Sequence, residues 1–479
     1  MKNLILSGVV LIALSGCGEK TEQSGVIATE KQVARLSMLD AAVTDYEVPV
    51  SKPSILTDTY GYEPGETKKA ILVSENLPKK FSLRRADNGA SVYEGSVKFK
   101  FEDPDTGLAT GIADFSDYTE EGRYYLETEL LGRSLDFSIK TGVYDSLYSE
   151  AEKKLQNLKC DTCHLSEIVY ENDTSKTRNV SGGWHTDENG GKDVVEGCLA
   201  VMDICTAVEY YASSFPDSDE NRIPDILELA MYEVEWLKKM QNPETGGVYT
   251  SVSYRVDEGA TTGKLYVVGE TTRATAYYCA CMAKYSYTIN KYNSIESTKA
   301  LQAADIAWKC LQVNKDIVDA DQMFRASTEM YRATGKYDYK SYVESYLKEN
   351  ADKDYSGRLV LDGAITYLDT QRSTKVEYCT PLMSNFMTRT ETFAADSEKS
   401  QYLVAVPENP ADLLRSVYEL AIVEYIISNT SYTGLEEECL HYMLGRNALS
   451  EDYINELKTP DDYVKLCIIS AKLSSCMGE

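Results

Sequence analysis

Basic residues are in short supply. The 479-residue chain carries 49 Lys and Arg against 76 Asp and Glu, a formal charge of -27. That balance argues against a protein built to grip phosphate backbones, which needs clustered Lys and Arg, and no nucleic-acid partner is expected. It suits a solvated surface that keeps a protein soluble. Phe and Trp are also scarce, at 9 and 3, whereas Tyr numbers 36. Tyrosine suits half-wet grooves and sugar contacts, but it equally fills helix interfaces with its hydroxyl at the rim, so composition leaves both readings open. No fixed period recurs along the chain, which argues against a regular repeat array. With 43% hydrophobic and 26% charged residues, disorder is not the default, and the length suffices for two or three domains with full cores.

Long apolar runs are missing as well. The first one, LILSGVVLIAL after Lys2, is too short to span a bilayer as a stable helix, and Ser15-Gly16-Cys17 follows it. Residues 1–16 read as a signal peptide. LSGC, Leu14 to Cys17, resembles the bacterial lipobox, which implies lipidation at Cys17, a polar tether over 17–50 and an extracytoplasmic protein anchored by lipid to a bacterial membrane. Eleven further cysteines are scattered and odd in number, which does not make a small disulfide scaffold. Cys279, Cys281, Cys310 and Cys467 lie in helical apolar stretches, where free buried thiols are expected.

Two hydrophobic periods divide the rest. Over 51–142, runs such as KAILVS, KFSLRRA, SVYEGSVKFKF and GRYYLETEL are separated by Gly, Pro, Asn and Asp turns, about seven in all, and predict an immunoglobulin-like sandwich. It contains no Cys pair, so packing alone must hold it. Over 143–479 the period turns helical. In IPDILELAMYEVEWLKKMQNP the apolar positions Ile226, Leu227, Ala230, Met231, Val234, Leu237 and Met240 share one face, opened by Pro224-Asp225 and stopped at Pro243. Ten or more such stretches, with no parallel-strand pattern between them, predict an all-α toroid or helical array.

Several segments then carry a resemblance: ILTDTYGYEPGETKKAILVS (55–74) and ADFSDYTEEGRYYL (113–126) in the first region; GGW (182–184), NRIPDILELA (221–230), EWLKKMQNPETGGVY (235–249), RATAYY (273–278), EMYRATG (329–335) and HYMLGRN (441–447) in the second. In this order they resemble glycoside hydrolase family 9, the endoglucanases, in the form with an N-terminal immunoglobulin-like domain. The resemblance implies an (α/α)6 barrel with a β-glucan cleft at one end. It also implies an Asp-x-x-Asp pair after GGW to activate water and a Glu on the last barrel helix to protonate the leaving oxygen, the base and acid of an inverting glycosidase.

At those positions this sequence departs from the family. After Trp184 and His185 the first Asp position is Thr186 and the second is Asn189. The acid position falls on Cys467, or on Val464 if the helix is registered from its other end. The family's long loop before that helix shrinks to thirteen residues between Asn447 and Asp461. Asp187 and Glu188 are candidate stand-ins, although no shift restores a carboxylate pair, since Gly190 lies three past Asp187. Asp461 and Asp462 could serve the cleft, or serve as the usual dipole partners of a helix start.

CDTCH, Cys160 to His164, has three readings: covalent haem attachment with His185 or His441 as distal ligand, a structural zinc on Cys160, Cys163 and His164, or a disulfide or free thiols bracing the loop. For zinc, the family's downstream His position is Lys192, so the fourth ligand would fall to His185 or Asp193. No cofactor is required for the chemistry, and a metal would only steady the loop.

The function expected is engagement of β-linked glucan or oligosaccharide at Trp184, His185, Thr186 and Asn189 in a cleft without the usual catalytic carboxylates. The alternatives are a β-1,4-glucan hydrolase using relocated carboxylates, and a scaffold for protein contacts without sugar affinity.

Overall fold

A computed structural model describes residues 53–160, 167–257, 261–355, 357–406 and 409–477, of which Pro53–Glu479 belongs to one compact unit. Cys17, Cys163 and His164, with the expected signal peptide and tether, lie outside the described residues.

The period-two segments form eight antiparallel strands: β1 Ile55–Leu56, β2 Lys69–Ser74, β3 Lys80–Arg85, β4 Ser91–Glu102, β5 Ala109–Asp114, β6 Gly122–Thr128, β7 Gly132–Arg133 and β8 Phe137–Ile139, in the order β1-β2-β5-β4-β3-β6-β7 with β8 on β6. The long β4 makes the sandwich from one path. Its first half, through Ser96, pairs with β3, and its second half, from Val97, pairs with β5. The core between the halves holds Tyr62, Leu72, Phe81, Leu83, Phe115, Tyr124, Leu126 and Phe137. Packing replaces the disulfide, as the lack of a Cys pair requires.

The period changes between Ile139 and Val143. Twelve α-helices follow among the described residues: α1 Val143–Asn157, α2 Val194–Tyr211, α3 Asp225–Lys239, α4 Thr272–Ile289, α5 Ser294–Val313, α6 Ala320–Thr334, α7 Tyr337–Glu349, α8 Arg358–Asp369, α9 Val376–Lys399, α10 Pro410–Ile427, α11 Thr433–Met443 and α12 Pro460–Met477. The even-numbered helices are the inner ring. Every residue of α2 from Val194 to Val208 except Glu196 is buried, as an all-round apolar helix demands, whereas α9 buries only Leu382, Phe386, Thr390 and Ser397. In the ring α2 packs on α4, α4 on α6, α6 on α8, α10 on α12 and α12 back on α2.

Two helices, α8 and α9, were not anticipated by the hydrophobic pattern. Short hairpins also interrupt the expected all-α region: β9 Glu167–Val169 with β10 Thr177–Asn179, β11 Lys192–Asp193 with β13 Ser251–Arg255 and β14 Lys264–Val267, and β12 Val248–Tyr249 with β15 Glu270–Thr271. No helix among the described residues is long and apolar enough to cross a membrane.

Side chains that open the inner helices are capped at one end of the toroid. Asp193 accepts from Val195 and Glu196 N–H, Thr271 from Ala274 N–H, Asp319 from Asp321 and Gln322 N–H, and Asn409 from Ala411 N–H. Thr459 and Asp462 cap α12 reciprocally, at 3.1 and 3.2 Å.

The sandwich is keyed into the toroid. Thr59 N–H donates to Leu444 C=O at 2.8 Å, Lys69 pairs with Glu438, and Val143 N–H donates to Glu63. At the centre of the seam His441 Nδ1 lies 2.8 Å from Asp58 and its Nε2 3.6 Å from Glu66, all three side chains almost fully buried. Burial raises the Asp58 carboxyl and pushes Glu66 up to about 7, with His441 opposing. Burial works against a charged imidazole, but Glu66 and Asp58 win and raise His441.

Candidate active-site face

Residues 180–193 arrive at the capped end as a loop fixed from below. Gly183 has φ +78°, and a Cβ there would sit 2.5 Å from Trp236 Cγ on α3, so only glycine fits. Cys160 N–H donates to Gly183 C=O and His185 N–H to Leu158 C=O, sewing the loop to the end of α1. Trp184 N–H donates to Glu233 of α3 at 2.8 Å. Burial pushes the Glu233 carboxyl up to about 8, with the Trp184 N–H and the charge of Lys192 pulling the other way.

Trp184 itself is 1% exposed. Its expected place at the sugar is corrected: the indole is a core anchor, drawn inward because its backbone is held by Glu233 and its ring packs in the toroid's main apolar cluster. His185 and Thr186 remain half-buried, and Asn189 is exposed.

The two stand-in acids sit at the loop tip. Thr186 N–H closes on Gly191 C=O, and Asp187 Oδ1 accepts from Asn189 N–H at 2.8 Å and from Gly191 N–H at 2.9 Å. A Cβ at Gly191 would lie 2.0 Å from the Asp187 carboxylate, so a larger residue there would push that side chain out of its turn. Asp187 thus shapes the turn, and both Asp187 and Glu188 are exposed.

The front of α12 carries a different device. Arg358, at the start of α8, makes a two-pronged bond to Asp461 at 2.5 and 2.8 Å and donates to Asp203 of α2 at 2.7 Å. Lys465 bridges the same two carboxylates at 2.5 and 2.8 Å. Burial opposes charge on Asp461, yet Arg358 and Lys465 hold it far below the usual carboxylate range; on Asp203 burial prevails and the carboxyl is raised. Asp461 is therefore an ion-pair member and Asp462 a helix cap. Beside them, Glu196 on the first turn of α2 is raised by burial and by neighbouring Asp461 and Asp193, with Arg358 opposing. Glu196, Arg358 and Asp203 are not among the residues that the sequence motifs single out; for Glu196 and Asp203 a charged residue inside the apolar α2 is the available signal.

Cys467 and Val464, the two candidate acid positions, are both fully buried in α12. Cys467 Sγ faces the Tyr148 carbonyl of α1 rather than the capped end. Cys279 and Cys281 are buried thiols as expected, but Cys310 is only half-buried. The short connection before α12 folds as a 3-10 turn, Tyr453–Glu456, closed by Asp452 accepting from Ile454 N–H.

Of the positions weighed for zinc, Cys160, His185, Lys192 and Asp193 lie among the described residues. Lys192 Nζ donates to Val180 and Gly182 carbonyls, both at 2.7 Å, so an ammonium without a lone pair stands at the position expected of a ligand. Asp193 accepts the N–H groups that open α2. Among the described residues no group of three His, Cys, Asp or Glu could hold a metal; Cys163 and His164 lie outside them.

A β-sandwich followed by six inner and six outer helices defines a two-domain protein of the (α/α)6-barrel class. The family model for glycosyl hydrolase family 9 matches residues 145–461 and that for the cellulase N-terminal ig-like domain residues 50–133. The chain belongs to glycoside hydrolase family 9. It is 24% identical to Endoglucanase D of Acetivibrio thermocellus, over 95% of this chain and 77% of that one. It is 25% identical to a cellodextrinase of Butyrivibrio fibrisolvens, over 81% and 84%. A metagenome-derived family 9 endoglucanase superposes with a TM-score of 0.77 at 20% identity, covering 88% of this chain and 99% of that chain, and a Bacteroides ovatus family 9 structure with 0.73 at 17%, covering 88% and 99%.

Proposed function

We propose that this chain engages β-linked glucan or a related oligosaccharide at the capped face without the acid and base of its family, and that it does so outside the cytoplasm, anchored through lipid on Cys17. The observation that carries the reading is Asp461. A glycosidase acid must hold a proton near neutral pH and release it to the leaving oxygen. Asp461 is instead kept ionised by Arg358 and Lys465. Positions 186, 189 and 467 offer Thr, Asn and Cys, and Asp187 spends its carboxylate on its own turn.

Its relatives keep a second reading alive, since they are named as endoglucanases and a cellodextrinase. One observation favours it: Glu196 is a raised, half-buried carboxyl beside Asp461. In that reading Glu196 is the proton donor.

The test is reducing-end release from soluble β-glucans, with affinity electrophoresis on the same glucans, by the chain lacking residues 1–17. Wild type would run beside Glu196→Gln and beside Asp187→Ala with Glu188→Ala. Retarded migration without release supports the first reading. Release that disappears in Glu196→Gln establishes the second, and release that disappears in the double variant places the base on the loop.

A further inference from the structure

The inner helices end at the pole opposite the capped face, and a cavity opens there. Its volume is about 660 Å³, within the roughly 300–1,000 Å³ of small-molecule sites. It is lined by the last turns of α2, α4, α6, α8 and α10 through Glu209, Tyr210, Tyr287, Arg332, Asp369 and Tyr425. None of these belongs to the face described above.

The lining has a defined chemistry. Tyr210 and Tyr425 stack at 3.9 Å and 8°, with Tyr425 39% exposed, so one aromatic slab borders the opening. Arg332 lies 4.4 Å over the Tyr287 ring, pairs with Glu209, and reaches Asp369 at 3.5 Å. Thr288 donates its hydroxyl to Glu209. Arg332 is 4% exposed, and its Nε is buried with no hydrogen-bond partner. A buried donor of this kind costs free energy unless something accepts from it.

These features restrict the occupant. Apolar ligands would strand the Glu209–Arg332–Asp369 floor. Anions meet the Glu209 and Asp369 carboxylates on the floor and the negative ends of several helices, with Lys291 and Arg372 also bordering the cavity. A neutral polyol has hydroxyls that donate to Glu209 and Asp369 and accept from Arg332, and C–H faces that rest on tyrosine rings.

We propose that this far-end cavity is a second binding site, for a neutral oligosaccharide, independent of the capped face. Hydrogen exchange of the full chain, read by peptide, locates binding at either pole. The probes are cellotetraose, xyloglucan heptasaccharide and maltotetraose at millimolar concentration, with trigalacturonate as the charged control. Expected is protection of 286–292 and 423–427 by a neutral probe and none by trigalacturonate. Tyr425→Ala weakens that protection more than about ten-fold in apparent affinity, whereas Tyr425→Phe, which keeps the ring, preserves it; unchanged thermal melting of both variants confirms that they fold. Absence of far-end protection with all three neutral probes overturns the inference, as does equal protection by trigalacturonate or indifference to Tyr425→Ala. Protection of 182–196 is scored separately: its loss strikes the proposed function and leaves this site standing.

Discussion

Glu233 accepts the Trp184 backbone N–H from inside the core, joining a loop to a helix 49 residues further on. Gly197 makes room for that carboxyl, since a Cβ there would lie 2.3 Å from its Oε1. Loop 180–193 thus rests in part on a buried carboxyl.

That group makes stability depend on pH. Its folded value, about 8, stands above the ordinary 4.5. The folded state therefore holds a proton that the unfolded chain releases, and this contribution falls as pH rises between about 4.5 and 8. Urea unfolding across that window shows declining stability in wild type and a shallower decline in Glu233→Gln; equal slopes would show that Glu233 is not the group.

Arg358 serves two buried carboxylates. Arg358→Ala leaves Asp203 and Asp461 sharing Lys465 and costs about 3–5 kcal/mol, the usual penalty for stripping one partner from a buried pair. Denaturant midpoints measure it. Because Asp461 is depressed below its ordinary 3.8, its stabilising contribution is present above about pH 4 and is lost only as pH falls toward the folded value.

The seam responds in the opposite sense to Asp461. His441 is raised above its ordinary 6.5, and Glu66 stands at about 7. A raised imidazole stabilises fully below about 6.5 and loses that effect as pH climbs through its folded value; the raised carboxyl also loses its contribution between about 4.5 and 7. Thermal melting is accordingly lower at about pH 8.5 than at about pH 6, and His441→Gln reduces the difference.

Gly183→Ala forces a side chain into Trp236 at φ +78°. The expected cost is about 1–3 kcal/mol, measured by denaturation, with melting lowered and hydrogen exchange quickened in 182–192. An unaffected melt would mean that the loop re-routes.

Restoring the family's first pair, Thr186→Asp with Asn189→Asp, creates no hydrolase on its own. The acid position, Cys467, is buried against α1, so that position supplies no proton donor to the pair. Reducing-end release from soluble β-glucan stays at background; turnover in that double variant would locate an acid elsewhere, with Glu196 first in line.

The architecture was legible because its two periods are written in side-chain spacing: alternation in KAILVS, and one apolar face in DILELAMYEVEWLKK. The helices α8 and α9 were not. Gly363 breaks propensity in α8, yet a Cβ there would meet Phe324 at 2.6 Å, so close packing on α6 dictates it; α9 contains Pro381 and buries little. At the site, the motif gave the loop's place but not the direction of its indole, because burial of Trp184 depends on Glu233, remote in sequence. The Arg358–Asp461–Asp203 cluster joins three helices, and no local pattern announces a contact spanning 155 residues. The tyrosine surplus found part of its explanation in helix interfaces and part in the far-end rim.

The seam at His441 also bears on how the chain can be divided. Remove residues 53–140, and His441 and Glu438 lose Asp58, Glu66 and Lys69 while Leu444 loses its donor from Thr59. The helical half is thus a poor candidate for expression alone or for transplantation onto another module, because its seam would keep buried charges without their partners.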